Sequence, residues 1–279
     1  MSDVRAARGR DHGGKRIRLS RISDPRTGRG LIVAMDHSVT LGPLGSVQRM
    51  RNVMQAVADG GADALVLHRG RVRTVPEDAF ARVGLIVHLS AGTSRSMDSD
   101  AKVLVGGVED ALRVGADAVS IHVNIGSPTE SRQLEDFWAV SRECDTLGVP
   151  LLAMVYSRGP HRPAGPVTAD EVAHMAAIAT DLGADVVKVD YCGNPDEMRT
   201  VVDSCPLPLY VAGGSQASSD SDAVALGAEI MSAGVSGLAF GRNVFGATDP
   251  YGVTKRLSRI VHGDPSPMAV DRAGTLESA

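Results

Sequence analysis

Lys188 lies in Asp185-Val186-Val187-Lys188-Val189-Asp190-Tyr191, a β-branched run that reads as a buried strand. It is one of only four lysines, with Lys15, Lys102 and Lys255, and arginine carries the rest of the positive charge. An ammonium inside a strand has to be paired, or desolvated until the neutral amine is favoured. A neutral amine is a nucleophile that forms Schiff bases with carbonyl substrates. Side chains alternate along a strand, so Val186, Lys188 and Asp190 share one face. By the same count Leu152, Met154, Tyr156 and Arg158 share a face of a second run, and Ile32, Ala34 and Asp36 of a third. A barrel that turns these faces inward holds an amine, a phenol and a carboxylate near one rim, which are the parts of Schiff-base aldol chemistry. Taken singly, each residue has a plain structural reading. A lysine snorkels to a rim, a tyrosine fills a core, and an aspartate caps a turn. Only the combination favours catalysis.

Two glycine-rich segments carry a second signal. Ala212-Gly213-Gly214-Ser215 and Phe240-Gly241-Arg242-Asn243 follow the last two apolar runs. Loops after the seventh and eighth strands of a (β/α)8 barrel commonly bind phosphate through backbone N–H groups. Glycine lets the backbone approach an anion, and Arg242 offers a bidentate contact. Tight turns alone would also explain these glycines. Four histidines, His37, His68, His88 and His122, fall near early strand ends. Clustered histidines bind zinc, but this spacing is no compact ligand motif, so wall residues are expected and no metal.

The elements that must position these groups are legible as periodicity. Eight apolar, β-branched runs occur at 31–37, 64–68, 85–89, 118–125, 151–156, 186–191, 209–212 and 237–240. Helical spacing of apolar residues fills 47–58, 133–147, 169–182 and 221–232 between them. Gly-Ala-Asp recurs just before a strand at 61–63, 115–117 and 183–185, with glycine as the helix stop. Eight β/α units in one domain predict an α/β TIM barrel, (β/α)8, over residues 21–262. A Rossmann site is disfavoured, because the first run ends in Asp36-His37-Ser38 and not in a Gly-rich loop. Residues 1–20 read as a basic arm or barrel-bottom cap, and 263–279 as a disordered tail.

The bulk numbers narrow the partners. With 279 residues, 43% hydrophobic, 22% charged and a net charge of −4, the chain has no electrostatic pull toward nucleic acid or membrane. It contains no apolar run long enough to span a bilayer and no signal-peptide core. Cys144, Cys192 and Cys205 lack metal-ligand or CxxC spacing, so a reducing cytoplasm is the expected compartment.

Several of these segments also resemble one known family. Met35-Asp36-His37-Ser38 with Gly42-Pro43 is similar to the opening motif of the archaeal-type class I aldolases. That group includes fructose-bisphosphate aldolases and 2-amino-3,7-dideoxy-D-threo-hept-6-ulosonate synthases. The stretches 88–93, 115–124, 156–159, Val187-Lys188, 211–214 and 241–245 look like their counterparts, most closely those of the synthases. The resemblance runs in order from about residue 17 to 262. It implies that Lys188 is the Schiff-base lysine, Tyr156 the proton-transfer residue and Asp36 the assisting carboxylate. Gly213, Gly214, Ser215, Gly241 and Arg242 would hold phosphate, with no cofactor.

The implied donor is dihydroxyacetone phosphate and the acceptor L-aspartate 4-semialdehyde, giving 2-amino-4,5-dihydroxy-6-oxo-7-(phosphooxy)heptanoate, a precursor of 3-amino-4-hydroxybenzoate. The dideoxy-heptulosonate synthesis and fructose-bisphosphate cleavage stand behind it, and a non-catalytic sugar-phosphate-binding barrel is the reading from another class. His37, Arg158, His161 and Asp190 would contact substrate, with Arg158 and His161 on the acceptor carboxylate and Asp190 on its ammonium. A homo-oligomer is expected. Three departures bear on the substrate: Ser38 replaces the usual glycine, Asp190 stands where Asn or Ser is common, and 160–166 is proline-rich.

Overall fold

The structure, a computed structural model, describes residues 13–263. Eight parallel strands form the barrel: β1 (Gly30–Ala34), β2 (Ala64–His68), β3 (Gly84–His88), β6 (Ala118–Ile125), β7 (Leu151–Ser157), β8 (Val186–Val189), β9 (Leu209–Ala212) and β10 (Gly237–Phe240). They close in the order β1-β10-β9-β8-β7-β6-β3-β2, while β4 (Ser90–Ala91) and β5 (Val103–Leu104) make a small antiparallel pair above β3. The helices are α1 (Gly13–Ile22), α2 (Ser38–Leu41), α3 (Val47–Asp59), α4 (Arg69–Val72), α5 (Val108–Leu112) and α6 (Glu130–Leu147). They continue with α7 (Ala169–Asp181), α8 (Pro195–Ser204), α9 (Asp220–Ser232), α10 (Arg242–Phe245) and α11 (Pro250–His262). The single-domain (β/α)8 barrel expected from periodicity is therefore the fold.

Period-two alternation splits the core in two. Ile32, Ala64, Ile86, Ala118, Leu152, Val186, Tyr210 and Ala239 fill the barrel interior. Leu31, Leu65, Val87, Val119, Leu151, Val187, Val211 and Leu238 face the helices. Tyr210, 2% exposed, is a large, fully buried interior side chain, and Gly237 and Gly30 make room for it: a Cβ at Gly30 would lie 2.5 Å from its hydroxyl. Helix boundaries follow local chemistry. Ser46, Asn194 and Ser219 cap α3, α8 and α9 through their side chains. Thr168 and Glu171 form a reciprocal capping box on α7.

The Gly-Ala-Asp repeat has a consequence beyond stopping helices. Gly61, Gly115 and Gly183 all have φ +87°, a left-handed turn that L side chains resist, and Gly234 repeats it. The aspartate two residues later then accepts an N–H from the first or second residue of the preceding barrel strand. Asp63 takes Leu31 N–H at 2.7 Å, Asp117 takes Leu85 N–H at 3.0 Å, and Asp185 takes Leu151 N–H at 2.9 Å. Ser236 replaces the carboxylate in the fourth copy, accepting from Leu209 N–H at 3.2 Å. Hydrogen bonds to a charged group contribute about 1.5–3 kcal/mol each. Three cations close over these carboxylates: Lys15 at 2.8 Å from Asp185, Arg21 at 3.4 Å from Asp117, and His262 at 3.0 Å from Asp63. α1 thereby lies across the barrel bottom with Ile22, 2% exposed, in the interior core.

Two strands end earlier than their apolar runs suggest. The first stops at Ala34, not residue 37, and the sixth at Val189, not residue 191. Beyond those points the chain leaves the ladder to begin a loop, so Asp36 and Asp190 sit just past it. The expected tail lies outside the described residues from 264 onward, as do residues 1–12 of the basic lead segment. Among the described residues, no helix is long and apolar enough to cross a membrane.

The hydrogen bond to Asp63 raises the His262 pKa above its ordinary value, against the effect of burial. The imidazolium's contribution to stability is thus fully present below about pH 6.5, the unfolded value, and is lost as pH rises through the higher folded value. Denaturation of the parent and His262→Gln between pH 6 and pH 9 should show a stability gap that narrows with rising pH. A gap independent of pH would remove the charged pair from the account.

Candidate active site

Inward-facing positions at the top of the barrel are polar where those below are apolar. β8 places Lys188 at 6% exposure, in register with Met154 on β7 and Tyr210 on β9. Its Nζ lies 3.9 Å from Met154 Sδ, and its charge acts on the Tyr156 phenol. Tyr156, 5% exposed, ends the inward face of β7 two residues above Met154. Burial pushes its phenol up, opposed by the charges of Lys188 and Arg158 and assisted by that of Asp190.

Asp36 faces this pair from just above β1, with Oδ1 3.4 Å from His37 Nδ1 and Oδ2 3.7 Å from His88 Nε2. Burial pushes the carboxyl up, but His88, His37, Lys188 and His68 outweigh it and hold the carboxyl well below the usual range. His88 is fixed by a 2.9 Å hydrogen bond between Nδ1 and Ser120 Oγ, and burial lowers it to about 4 despite Asp36. His68 meets His88 edge-on at 5.2 Å between ring centroids. Among the described residues, no group of three or more His, Cys, Asp and Glu side chains is arranged to hold a metal ion.

β6 supplies the next part of the wall. His122 Nε2 and Asn124 Oδ1 are 2.7 Å apart, and the His122 ring packs edge-on against Tyr156 at 4.9 Å. Burial, followed by the charges of Arg158 and Lys102, holds His122 well below its ordinary pKa. Asn124 donates to Asp100 O at 2.8 Å, which ties the loop after β3 to this strand.

The loops after β9 and β10 are joined to each other. Asn243, 3% exposed, donates to Gly213 O at 2.8 Å and accepts from Ala217 N–H at 2.7 Å. Arg242 donates to Gly214 O at 2.8 Å, while its Nε is buried without a hydrogen-bond partner. Gly241 packs beneath His37: a Cβ there would lie 2.5 Å from His37 Cε1 and 2.8 Å from Ala34 O. Gly214 has φ +64°, and Ser215 is exposed beside it.

Of the residues expected to contact substrate, the structure brings His37, Arg158 and Asp190 to the rim. Arg158 lies over the Tyr156 ring at 4.2 Å and 3.4 Å from Asp190, so these two are partners of each other. His161 is not gathered in. At Gly159 the chain adopts φ +120° and packs on the Gly126 backbone, and His161 is left exposed, with its N–H on Gly126 O at 3.2 Å. Glu171 anchors the proline-rich loop by accepting from Ser157 Oγ at 2.8 Å and standing 3.6 Å from Arg162. Sequence reasoning passed over Ser120, Glu171 and Lys102. The capping-box spacing of Thr168 and Glu171 was the one available signal.

With this geometry in view, likeness to known proteins is informative. Residues 30–247 match the model of the DeoC/LacD family aldolases. The chain is 43% identical over 248 residues to the 2-amino-4,5-dihydroxy-6-oxo-7-(phosphonooxy)heptanoate synthase of Streptomyces griseus, covering 88% of this chain and 89% of that one. It is 42% identical over 257 residues to 2-amino-3,7-dideoxy-D-threo-hept-6-ulosonate synthase 1 of Archaeoglobus fulgidus, covering 90% and 92%. An archaeal fructose-1,6-bisphosphate aldolase, solved with its catalytic Lys covalently bound to the carbinolamine intermediate of the substrate, superposes with a TM-score of 0.81. That pair shares 26% identity, over 89% of this chain and 100% of that one. A closed parallel barrel with a buried lysine at its mouth and this breadth of similarity have one meaning: the chain belongs to the DeoC/LacD family of aldolases, enzymes that make and break carbon–carbon bonds.

Proposed function

We propose that the protein condenses dihydroxyacetone phosphate with L-aspartate 4-semialdehyde through a Schiff base on Lys188, giving 2-amino-4,5-dihydroxy-6-oxo-7-(phosphonooxy)heptanoate. The carrying observation is the Lys188 amine, 6% exposed, beside the Tyr156 hydroxyl and facing the Asp36 carboxylate. The 43% identical Streptomyces relative supports the choice of product. In its unprotonated form Lys188 adds to the donor ketone, and loss of water gives an iminium. The positive nitrogen acidifies the hydroxymethyl C–H of the donor, and that proton passes to the Tyr156 phenolate, formed when the phenol protonated the departing carbinolamine hydroxyl, to leave an enamine. The enamine carbon then forms a bond to the aldehyde carbon, and the new alkoxide takes a proton back. Water returns across the iminium to release the product ketone and the lysine, so no other reactant is consumed.

The remaining residues serve this sequence. Asp36 stays ionised among its histidines and assists proton movement at the carbinolamine. Gly213, Gly214, Ser215, Gly241 and Arg242 hold the donor phosphate, supported by the backbone-rich loops and the unpartnered Arg242 Nε. Binding energy taken there is remote from the reacting carbon and fixes its orientation. His37 lines the donor side, and Asp190 with Arg158 forms the rim that the acceptor's amino group passes. The dideoxy-heptulosonate synthesis is the second reading, supported by the 42% identical Archaeoglobus relative; it differs in the donor. The setting is a cytoplasmic homo-oligomer. Exposed Val39, Leu41, Val47, Val103 and Val105 around the loops after β1 and β3 favour self-association, and three free cysteines suit a reducing compartment.

Borohydride reduction in the presence of dihydroxyacetone phosphate, followed by peptide mass mapping, should place a reduced adduct on Lys188 and none in Lys188→Met. An adduct elsewhere, or none, would overturn the lysine assignment. Tyr156→Phe should lower kcat by about 10²–10⁴-fold, the usual weight of a positioned acid–base group, while the protein still binds donor. Gly241→Ala pushes a methyl into His37 and the Ala34 carbonyl and should raise the donor KM well above the acceptor KM. Equal shifts in both would separate this loop from the phosphate.

A further inference from the structure

We infer that Lys102 binds the carboxylate of the aldehyde acceptor, in a subsite on the barrel wall opposite the phosphate-facing loops; this rests on the function proposed above. Lys102 is 8% exposed and is the second deeply buried lysine near the mouth. Its Nζ donates to Ser99 O at 2.9 Å and Ala101 O at 3.3 Å. An ammonium has three donors, so one remains for a ligand. Asp100 and Asp98 act on it through longer-range charge, and Asp98 Oδ1 is already taken by the N–H groups of Asp100 and Ala101 at 3.0 and 3.2 Å. A buried cation held only by carbonyls is incompletely compensated, and an arriving carboxylate is the partner that would complete it. Burial accordingly holds the ammonium below its usual range.

Its position is built, not incidental. The pairing of Ala91 with Val103 sets Lys102 beside Gly92, where a Cβ would lie 2.9 Å from Nζ. The Asp100 carbonyl hangs from Asn124 Nδ2 at 2.8 Å and Gln133 Nε2 at 3.1 Å. Asn124 contacts His122, and the His122 ring contacts Tyr156, so the subsite is continuous with the wall that holds Lys188.

The ring order supplies the direction. Going round the barrel from β9 and β10, β8 and β7 intervene on one side and β1 and β2 on the other before β6 and β3 are reached. A substrate with its phosphate over β9 and β10 passes Lys188 and Tyr156 and arrives with its far end at the β6–β3 wall, under Lys102. A chain bearing phosphate at one end and carboxylate at the other fits that span. Arg158 is the weaker carboxylate ligand, being exposed and engaged with Asp190 and the Tyr156 ring.

The test compares L-aspartate 4-semialdehyde with 3-aminopropanal, which keeps the amine and aldehyde and lacks the carboxylate. Lys102→Met should raise the semialdehyde KM by about tenfold or more, the loss of one charge-assisted hydrogen bond. It should leave kcat/KM for 3-aminopropanal and borohydride trapping of dihydroxyacetone phosphate on Lys188 unchanged. Lys102→Arg should recover part of the semialdehyde affinity. Equal losses for both aldehydes would reduce Lys102 to a loop staple, and no loss for either would remove it from the site. If the unaltered enzyme traps the donor but does not condense it with the semialdehyde, the proposed reaction fails and takes this subsite with it. If it condenses both aldehydes and Lys102→Met does not discriminate them, the subsite alone fails.

Discussion

An amine at 6% exposure inside a closed parallel barrel has little water to solvate it, so neighbouring strands must supply its surroundings. Three strands do so here. β7 offers Met154 and Tyr156, the end of β1 offers Asp36, and β3 backs Asp36 with His88. Each of these is in turn held: His88 by Ser120, Tyr156 by His122 and Arg158. Polar groups at this depth are costly unless satisfied. The upper interior of the barrel is therefore a connected network, and its members are fixed by their neighbours more than by their own loops.

The lower half solves a different problem. There the strands begin, and N–H groups at their first or second residues need partners from outside the ladder. The repeated left-handed glycine followed by a carboxylate or hydroxyl answers this at four points around the ring, once every second strand. Cations from α1 and α11 then cover the carboxylates. The division of labour is physical: bottom charges serve register and closure, while top charges gather around the Lys188 amine.

The mouth also has an axis. Glycine-rich backbone and Arg242 lie over β9 and β10, and the far wall over β6 and β3 carries His122, Asn124 and the buried Lys102. Two cationic poles with the Lys188 amine between them suit a substrate anionic at both ends.

Periodicity of two along a strand is a local property, and it carried the count of eight strands, the inward faces of Lys188, Tyr156 and Asp36, and the Gly-Ala-Asp punctuation directly in the amino-acid order. The glycine-rich segments after the last two strands were legible for the same reason. Loops have no period, and there the sequence was silent. Nothing in the order of residues says that Arg158 and Asp190 pair, that His161 turns away at Gly159, or that Lys102 comes to rest beside Gly92 and below Asn124's partner loop. Those facts depend on ring closure and on side chains of distant loops competing for the same carbonyls and carboxylates, a competition that only the assembled barrel decides.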